Sequence, residues 1–427
     1  MGVKIAVVGA GSTYTPELVE GLVAHADRLP VEELVLFDVD PDRLQVVGGL
    51  ARRILTHQGW PGRLQPTTDR DRALEGADYV VLQLRVGGQQ ARRLDETVPG
   101  EFGCVGQETT GPGGFAKALR TVPLVLEIAE ETARRAARDA WLLDFTNPVG
   151  IVSQALLDQG HRAIGLCNSA IGFQRRLADH LGIGWERVEL EHVGLNHLTW
   201  ERAVRVDGVD RLPELLRTAA DELGAAVGLP GELLRLLAAL PSSYLRYYYL
   251  TDQVVREQRA AGTTRADEVL RIEQELLELY RDPGLCEKPR LLEQRGGAFY
   301  SLAAARLMAS LQADTGDTQV VNCRNDGALP GLPDDAVVEV PARIGRTGAR
   351  PLPLTPLAPE LMGLVHQAKA YERLTVRAAV TGDRRLALKA LLANPLVRDY
   401  ATAAPLLEAL LAAGRANLPR FFPTDYP

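Results

Sequence analysis

Short apolar runs alternate with amphipathic stretches between residues 4 and 168 of the chain. The apolar runs are KIAVVGAG, ELVLFDVD, DYVVLQLRVGG, AWLLDFTNPVG and RAIGLCN. Between them, stretches such as PELVEGLVAHADRL place apolar residues at the spacing of one helix face. Strands that are apolar nearly throughout and that alternate with helices predict a parallel sheet covered on both faces. We therefore predict an α/β fold with a Rossmann-like doubly wound parallel sheet.

The pattern changes after about residue 170. The segment ERVELEHVGLNHLTWERAVRVDG indicates strands, TRADEVLRIEQELLELYRD a long helix, and DDAVVEVPARIG a further strand. A chain of 427 residues is also too long for one simple core. We predict a nucleotide-binding domain over residues 1–170 and a mixed, helix-rich second domain over residues 171–427, with the site between them. This architecture is similar to that of lactate and malate dehydrogenases.

Composition and charge narrow the class of protein. A net charge of −7 with no basic block argues against nucleic acid or an anionic membrane surface as a partner. No apolar run approaches the ~20 residues of a membrane helix, and the N-terminus reads as a strand rather than a signal peptide. Four cysteines in so long a chain do not form a disulfide framework. We expect a cytoplasmic enzyme that acts on a small molecule.

A glycine turn follows the first strand directly and precedes a helix. Glycines at this place let the backbone approach a pyrophosphate, which the helix N-terminus stabilises. Tyr14 occupies the place of the third glycine of the dinucleotide fingerprint, so a tight turn that binds nothing is the alternative. An acid at the end of the second strand suits the ribose hydroxyls of NAD and disfavours the 2′-phosphate of NADP. The predicted NAD ligands are Gly9, Gly11, Ser12, Thr13 and Asp38.

Polar residues also follow the fourth and fifth apolar runs. Asn147 lies in FTNPVG, and Cys167 and Asn168 end RAIGLCN. A thiolate and an imidazole together suit a divalent transition metal, and HVGLNHLTW supplies His197 downstream. A buried core cysteine and a structural histidine are the alternative. Two protein ligands would leave the other positions to water or substrate, as in an open catalytic site.

Arginines and tyrosines complete the candidate residues. The glycine-dense segment 89–123 reads as a substrate loop over the sheet edge, and Arg92 within it, like Arg295 in EQRGGAFYS, suits an anionic group. Surface salt bridges are the alternative for both arginines. PSSYLRYYYL holds four tyrosines, one of which would need a nearby cation to act as a base at neutral pH. An aromatic face at a domain interface explains the other tyrosines.

Together these segments resemble glycoside hydrolase family 4, the NAD- and metal-dependent glycosidases. The resemblance extends from residue 4 to about residue 342 in the order of the family's motifs. The motifs are VVGAGSTYTPELVEGL, LRVGGQQARRLDE, GCVGQETTGPGGFAKALRTVP, DFTNPVG, GLCN, HVGLNHL, YLRYYY, RGGAFYS and NDGALPGLPDDAVVEVPA. This family is an exception to the two-carboxylate scheme of most glycosidases.

The resemblance implies a redox-elimination mechanism. NAD takes hydride from C3 of the sugar, a divalent metal such as Mn²⁺ polarises the ketone, and a tyrosine removes the C2 proton. The aglycone leaves by elimination, water adds, and hydride returns to C3. Cys167 and His197 would hold the metal, and Tyr244, with Tyr248 second, would be the base. The implied sugar ligands are Asn147, Asn168, Arg92 and Arg295, with Asn168 also at the reacting centre.

The pair Cys167-Asn168 resembles the branch that hydrolyses 6-phospho-β-glucosides, in which an arginine would bind the phosphate. Ser169-Ala170 departs from the Val/Met-Pro usual after that pair. A family 4 glycosidase for another or unphosphorylated sugar, a 2-hydroxyacid dehydrogenase and an NAD-sensing module are the alternatives. We also expect a homodimer or homotetramer.

Overall fold

The computed structural model describes residues 2–296 and 299–423 and follows the predicted alternation of strands and helices. The strands are β1 Val3–Val8, β2 Val31–Phe37, β3 Arg63–Thr67, β4 Tyr79–Leu82, β5 Trp141–Asp144, β6 Ala163–Gly165, β7 Val188–Leu195, β8 Leu198–Val206, β9 Val209–Asp210, β10 Leu240–Pro241, β11 Asp317–Arg324, β12 Val337–Gly345 and β13 Gly348–Pro351. Short 3-10 helices are Trp185–Arg187, Ser243–Leu245 and Arg415–Asn417.

The α-helices of the first half are α1 Thr15–Val23, α2 Pro41–His57, α3 Arg70–Leu74, α4 Gly88–Glu101, α5 Gly111–Arg135, α6 Val149–Asp158, α7 Ser169–Leu181, α8 Leu212–Thr218 and α9 Ala220–Val227. Those of the second half are α10 Gly231–Leu237, α11 Arg246–Tyr249, α12 Thr251–Ala261, α13 Arg265–Tyr280, α14 Leu292–Arg295, α15 Tyr300–Ala313, α16 Pro359–Thr381, α17 Arg384–Ala393 and α18 Tyr400–Gly414.

The central sheet has the strand order β13-β12-β11-β6-β5-β4-β1-β2-β3 within the described residues. The six strands from β3 to β6 are parallel, in the 3-2-1-4-5-6 order of doubly wound nucleotide-binding folds. Strand β11 runs antiparallel to β6, and β12 and β13 continue the sheet as antiparallel strands. A separate antiparallel sheet contains β7, β8, β9 and β10. The predicted α/β class is therefore confirmed.

A hydrophobic core lies on each face of the central sheet. Alternate residues of β1 divide between the two, because successive side chains of a strand point to opposite faces. Val3, Ile5 and Val7 join the core that includes α1, α2, α13 and α15. Ala6 and Val8 join the core that includes α5, α6 and the C-terminal helices α16 to α18. Burial on both faces explains why these strands are apolar nearly throughout.

The predicted substrate loop over residues 89–123 is wrong in its extent. The structure places α4 and α5 at its two ends, and only residues 102–110 connect them. The glycines serve close packing rather than a long flexible loop. A Cβ at Gly113 would lie 2.3 Å from the carbonyl oxygens of Asp95 and Gln107, and a Cβ at Gly114 would lie 2.6 Å from Thr109. Helix α5 therefore begins pressed against the connection and α4.

The carboxyl ends of the parallel strands meet at one edge of the sheet, where the predicted site residues lie. The turn after β1, the connection after β4, and the segments after β5 and β6 all end there. Strands β11 to β13 and helices α16 to α18 come from the second half of the chain but join the sheet and one of its cores. The division into domains at residue 170 stays a prediction. Within the described residues, none of the helices combines the length and apolar character needed to span a bilayer.

Candidate active site at the edge of the sheet

The turn after β1 depends on glycine. Gly9 has φ +92°, a conformation that L side chains rarely adopt, and a Cβ there would lie 2.9 Å from the backbone of Gln83 and Leu84. The backbone N–H groups of Gly9 and Ala10 both donate to the carbonyl of Phe37, at 3.0 and 2.9 Å. These contacts hold the turn against the ends of β2 and β4.

Asp38 folds against this turn. Its Oδ2 accepts the N–H of Gly11 at 2.7 Å, and its Oδ1 accepts the N–H of Asp40 at 3.0 Å. A Cβ at Gly11 would lie 2.8 Å from the Asp38 carboxylate, so glycine is needed at that position. Thr13 is buried, and its hydroxyl has no hydrogen-bond partner among the described residues. The predicted NAD ligands are thus together, and the unpartnered Thr13 hydroxyl fits a nucleotide that brings its own polar atoms.

Asn147 lies where the chain leaves β5. The Asp144 carboxylate, at the end of that strand, accepts the N–H of Thr146 at 2.8 Å and the hydroxyl of Ser153 at 3.3 Å. The Asn147–Pro148 peptide bond is cis. The buried Asn147 Oδ1 has no hydrogen-bond partner among the described residues, which leaves an amide oxygen available to a hydroxyl.

Cys167 lies at the end of the next strand, β6, and is buried. Burial, with the Glu339 carboxylate as a further cause, raises the pKa of its thiol to about 12. The Ser169 hydroxyl lies 3.3 Å from Sγ, and the side chains of Asn196 and Tyr300 also hydrogen-bond to the sulfur. The buried sulfur therefore has polar neighbours on several sides.

His197 occupies the turn between β7 and β8. Its φ of +64° is uncommon for a residue with a side chain, and such strained residues cluster at functional sites. Its ring stacks on Tyr244 with centroids 3.6 Å apart and an interplanar angle of 7°. Burial is the main cause that lowers the pKa of the imidazole, to about 4, so the ring is neutral at pH 7. The buried Nδ1 has no hydrogen-bond partner among the described residues.

The sulfur of Cys167 and the imidazole of His197 fit a divalent transition metal. Asn196, next to His197 in the chain, hydrogen-bonds to Cys167, which brings the two segments together. A neutral imidazole with an unpartnered nitrogen is in the form that a metal binds. Among residues 2–296 and 299–423, no group of three or more His, Cys, Asp or Glu side chains is arranged to hold a metal. Two protein donors suit an open site whose other ligands come from water or substrate.

Tyr244 lies in the short helix Ser243–Leu245 and faces the same centre. Burial, followed by the charges of Cys167, Tyr247 and Glu108, raises the pKa of its phenol, whereas Arg92 lowers it. A tyrosine that acts as a base at neutral pH needs a lowered pKa, which a cation beside the phenol would provide. Tyr248 is half-buried, near Glu372. Of the two tyrosines considered from the sequence, Tyr244 is the one stacked on a metal-ligand candidate.

Arg92 belongs to a buried cluster of charges. Its Nε lies 2.7 Å from Glu96 Oε1 and 3.4 Å from Glu108 Oε1. Arg85 also pairs with Glu108, and the Lys117 ammonium lies 2.7 Å from it. Burial, then Arg85, lowers the pKa of Lys117 to about 7. Arg85, Arg92 and Lys117 thus surround the Glu108 carboxylate, and Arg92 also pairs with Glu96.

Arg295 lies on the nucleotide side of the site. It ends α14, its Nη2 donates to Glu273 Oε1 at 2.9 Å, and its guanidinium lies 5.8 Å from the centroid of the Tyr14 ring. Gln89 donates to the same carboxylate oxygen at 3.0 Å. Glu273 therefore links Arg295 to the helix that carries Arg92. Gly297 and Ala298, from the same RGGAFYS motif, lie outside the described residues.

Two further residues near the metal-ligand candidates, the buried Glu339 and the half-buried Tyr300, were not assigned from the sequence. Glu339 accepts hydrogen bonds from His192 Nε2 at 3.0 Å, from Asn196 at 2.7 Å and from Asn322 at 3.0 Å. Tyr300 packs against Tyr14 and Phe145 and hydrogen-bonds to Cys167. Both stand in motifs singled out above, VVEVPA and RGGAFYS, but neither residue type alone indicates its partner across the fold.

Cys167 also borders an open groove of about 1190 Å³ between α7 and α15. Its lining includes Ile171, Trp185 and Leu302 but neither Tyr244 nor His197. Of the candidate site residues described above, Cys167 alone contributes to the walls of this groove.

Comparisons with known proteins place the chain in a family. Residues 4–183 match the family 4 glycosyl hydrolases, and residues 192–397 match the C-terminal domain of the same family. The probable 6-phospho-beta-glucosidase of Bacillus subtilis is 42% identical over 99% of this chain and 98% of its own length. The Thermotoga maritima 6-phospho-beta glucosidase, solved with manganese, NAD+ and glucose-6-phosphate, is 34% identical with a TM-score of 0.91 over 97% of this chain and 99% of that one.

Malate dehydrogenase from Plasmodium falciparum, solved with NADH, shares the fold alone. It has 15% sequence identity and a TM-score of 0.55 over 88% of this chain and 98% of its own. The predicted similarity to the dehydrogenase architecture is thereby confirmed, and the family matches extend over both halves of the sequence. This chain belongs to family 4 of the glycosyl hydrolases.

Proposed function

We propose that this chain is a 6-phospho-β-glucosidase that uses NAD and a divalent metal, with Mn²⁺ the first candidate. The observation that carries the proposal is the cluster of Cys167, His197 and Tyr244 in a chain 42% identical to a probable 6-phospho-beta-glucosidase. The Thermotoga relative, solved with manganese, NAD+ and glucose-6-phosphate, supports the same cofactors. When bound, NAD and the metal would supply reversible oxidation at C3 and polarisation of the neighbouring sugar oxygens.

The nucleotide would bind along the turn after β1. Gly9 and Gly11 allow its close approach, Ser12 and Thr13 provide hydroxyls, and Asp38 accepts from the ribose. The unpartnered Thr13 hydroxyl and the Cβ clashes at both glycines support this assignment. A carboxylate at Asp38 would repel the 2′-phosphate of NADP, so NAD is the preferred cofactor.

Tyr244 would remove the proton at C2 of the sugar. Its stacking on His197 places the phenol beside the metal-ligand candidates, and Arg92 already lowers its pKa against the effect of burial. A cation held by Cys167 and His197 would favour the phenolate further. Asn168 follows Cys167 directly as the N-cap of α7 and would contact the sugar hydroxyls at the same centre.

Arg92, Asn147 and Arg295 would bind the rest of the substrate. The unpartnered Oδ1 of Asn147 can accept from a sugar hydroxyl. The cations around Glu108 and the guanidinium of Arg295 supply positive charge for the 6-phosphate, which arginine binds through two N–H groups at once. We also retain the division into a nucleotide-binding domain, residues 1–170, and a metal- and substrate-binding domain, residues 171–427, as a proposal.

The experiment that tests the function compares p-nitrophenyl β-glucoside with its 6-phosphate, with and without NAD, Mn²⁺ and EDTA, under reducing conditions. We expect cleavage of the phosphorylated substrate that requires both NAD and metal, with no net accumulation of NADH. Cleavage of the unphosphorylated glucoside alone would contradict the phosphate assignment. NADH formed from hydroxy acids would point to a dehydrogenase, and NAD binding without turnover of any α, β or galacto substrate would point to a sensing module.

We further propose that the chain forms a homodimer or homotetramer in the cytoplasm. Val209 and Leu236, with 62% and 80% of their surface exposed, are apolar side chains that such an interface would cover. A thiol that must stay reduced to bind a metal suits a reducing compartment. Size-exclusion chromatography with light scattering at micromolar concentration is expected to give a dimer or tetramer, and a monomer would contradict the assembly. Fractionation of the source cells tests the location.

A further inference from the structure

Three side chains hydrogen-bond with the sulfur of Cys167. The thiol of Cys167 donates to the Ser169 hydroxyl at 3.3 Å, and the Ser169 backbone also contacts the sulfur. When a metal displaces the thiol proton, the Ser169 hydroxyl can turn and donate to the thiolate. The side-chain amide of Asn196 and the hydroxyl of Tyr300 hydrogen-bond to the same atom. Because the amide of Asn196 also donates to Glu339 at 2.7 Å, its orientation is fixed from behind.

Ser169 differs from the other two donors in its place in the fold. It is the first residue of α7, two residues after Cys167, and its hydroxyl reaches back across the turn to the sulfur. Asn196 and Tyr300 come from distant segments that also pack against other groups. The hydroxyl of Ser169 can therefore be removed without disturbing the core.

Hydrogen bonds to a thiolate change which metal it binds best. A thiolate with an imidazole binds Co²⁺, Zn²⁺ and Cd²⁺ more tightly than Mn²⁺, because the soft sulfur shares electron density with those ions. A donor to the sulfur withdraws part of that density. It weakens the covalent bond to a soft ion more than the electrostatic attraction to a hard ion, as surrounding hydrogen bonds do in other cysteine-ligated sites.

We propose that Ser169 is a metal-selectivity residue, whose hydroxyl donates to the Cys167 thiolate and shifts the preference of the site from soft divalent ions toward Mn²⁺. The proposal rests on the proposed function only in that Cys167 and His197 hold the metal. Ser169 acts through Cys167 and is a positioning residue, not a catalytic one. Asn196 and Tyr300 support the same sulfur but are also tied to the surrounding structure.

The test uses the full chain with NAD and the matched variants Ser169→Thr and Ser169→Val, which have the same shape but differ in the hydroxyl. Co²⁺ is added, and the sulfur-to-cobalt charge-transfer band is recorded in the near ultraviolet. Equilibrium dialysis against Cd²⁺ and Mn²⁺ then gives the ratio of the two affinities. We expect S169V to move the band to lower energy and to raise the Cd²⁺/Mn²⁺ ratio about tenfold, the size of one hydrogen bond to a charged group. S169T should behave as the original chain.

The controls separate the possible failures. Ser310→Ala removes a buried serine hydroxyl on α15 that donates to the Arg306 carbonyl at 2.9 Å, away from Cys167, and should change neither readout. If the unsubstituted chain gives no charge-transfer band, Cys167 does not ligate the metal and that part of the proposed function is wrong. If the band is present but S169V leaves its energy and the Cd²⁺/Mn²⁺ ratio unchanged, the inference about Ser169 is wrong.

Discussion

Replacing Tyr244 with Phe is expected to lower turnover of the phosphorylated glucoside by about 10²- to 10⁴-fold, the usual contribution of a positioned general base. The ring still stacks on His197, where the centroids are 3.6 Å apart, so the change removes only the hydroxyl. NAD affinity should not change, because the nucleotide turn lies on other segments. The most direct measurement is exchange of the C2 proton of glucose 6-phosphate in D₂O, followed by NMR with NAD and Mn²⁺ present.

Tyr247→Phe and Tyr248→Phe are the matched controls. The Tyr247 ring lies 6.2 Å from that of Tyr244, and Tyr248 is half-buried near Glu372. Both controls should retain C2 exchange. Exchange that survives in Y244F but is lost in Y248F would transfer the role of base to Tyr248. Loss of NAD binding in Y244F would indicate a structural defect rather than a missing base.

The positions of the strands along the chain could be predicted where burial dictates the sequence pattern. Strand β1 is apolar at nearly every position because Ile5 faces one core and Ala6 the other, and the alternation of such short apolar runs with amphipathic helices indicates a parallel sheet. The segment 89–123 misled for a physical reason. Glycine there allows two backbone segments to pack closely, since a Cβ at Gly113 would lie 2.3 Å from the carbonyl oxygen of Asp95. A segment that needs glycine for close packing has the same composition as a flexible loop.

The candidate site divides in a similar way. Asn147 and Cys167 follow β5 and β6, which are neighbouring parallel strands. Because the carboxyl ends of parallel strands meet at one edge of the sheet, the sequence pattern was enough to predict that these two residues lie near each other. Glu339 and Tyr300 reach the site from β12 and α15, and their role depends on side-chain contacts between β7 and β12, which lie in different sheets, and on the placement of α15. No local spacing encodes such contacts, so charges buried behind a site are the part that sequence patterns reveal least.

The largest stability effect is expected for His192→Gln. His192 lies between two buried carboxylates, 2.7 Å from Glu201 through Nδ1 and 3.0 Å from Glu339 through Nε2. Burial disfavours the charged ring, but the carboxylates outweigh burial and raise the pKa of His192 to about 10. Without the imidazolium, the two carboxylates face each other with no cation between them. The free energy of unfolding should fall by about 3–5 kcal/mol at pH 7, the cost of breaking a buried ion pair from one side.

The pH dependence of unfolding distinguishes this ion pair from simple packing. Because the pKa of His192 rises on folding from an ordinary 6.5 to about 10, its contribution is fully present below pH 6.5 and is lost as the pH rises through 10. Urea denaturation of the original chain at pH 7 and pH 9.5 should show that loss, and H192Q should lack it. His180→Gln is the matched control, since His180 pairs at 3.1 Å with a Glu222 side chain that is 72% exposed. A surface pair contributes at most about 1 kcal/mol, so H180Q should keep the pH dependence of the original chain. If H192Q and H180Q lose the same unfolding free energy between pH 7 and pH 9.5, His192 acts as an uncharged packing residue.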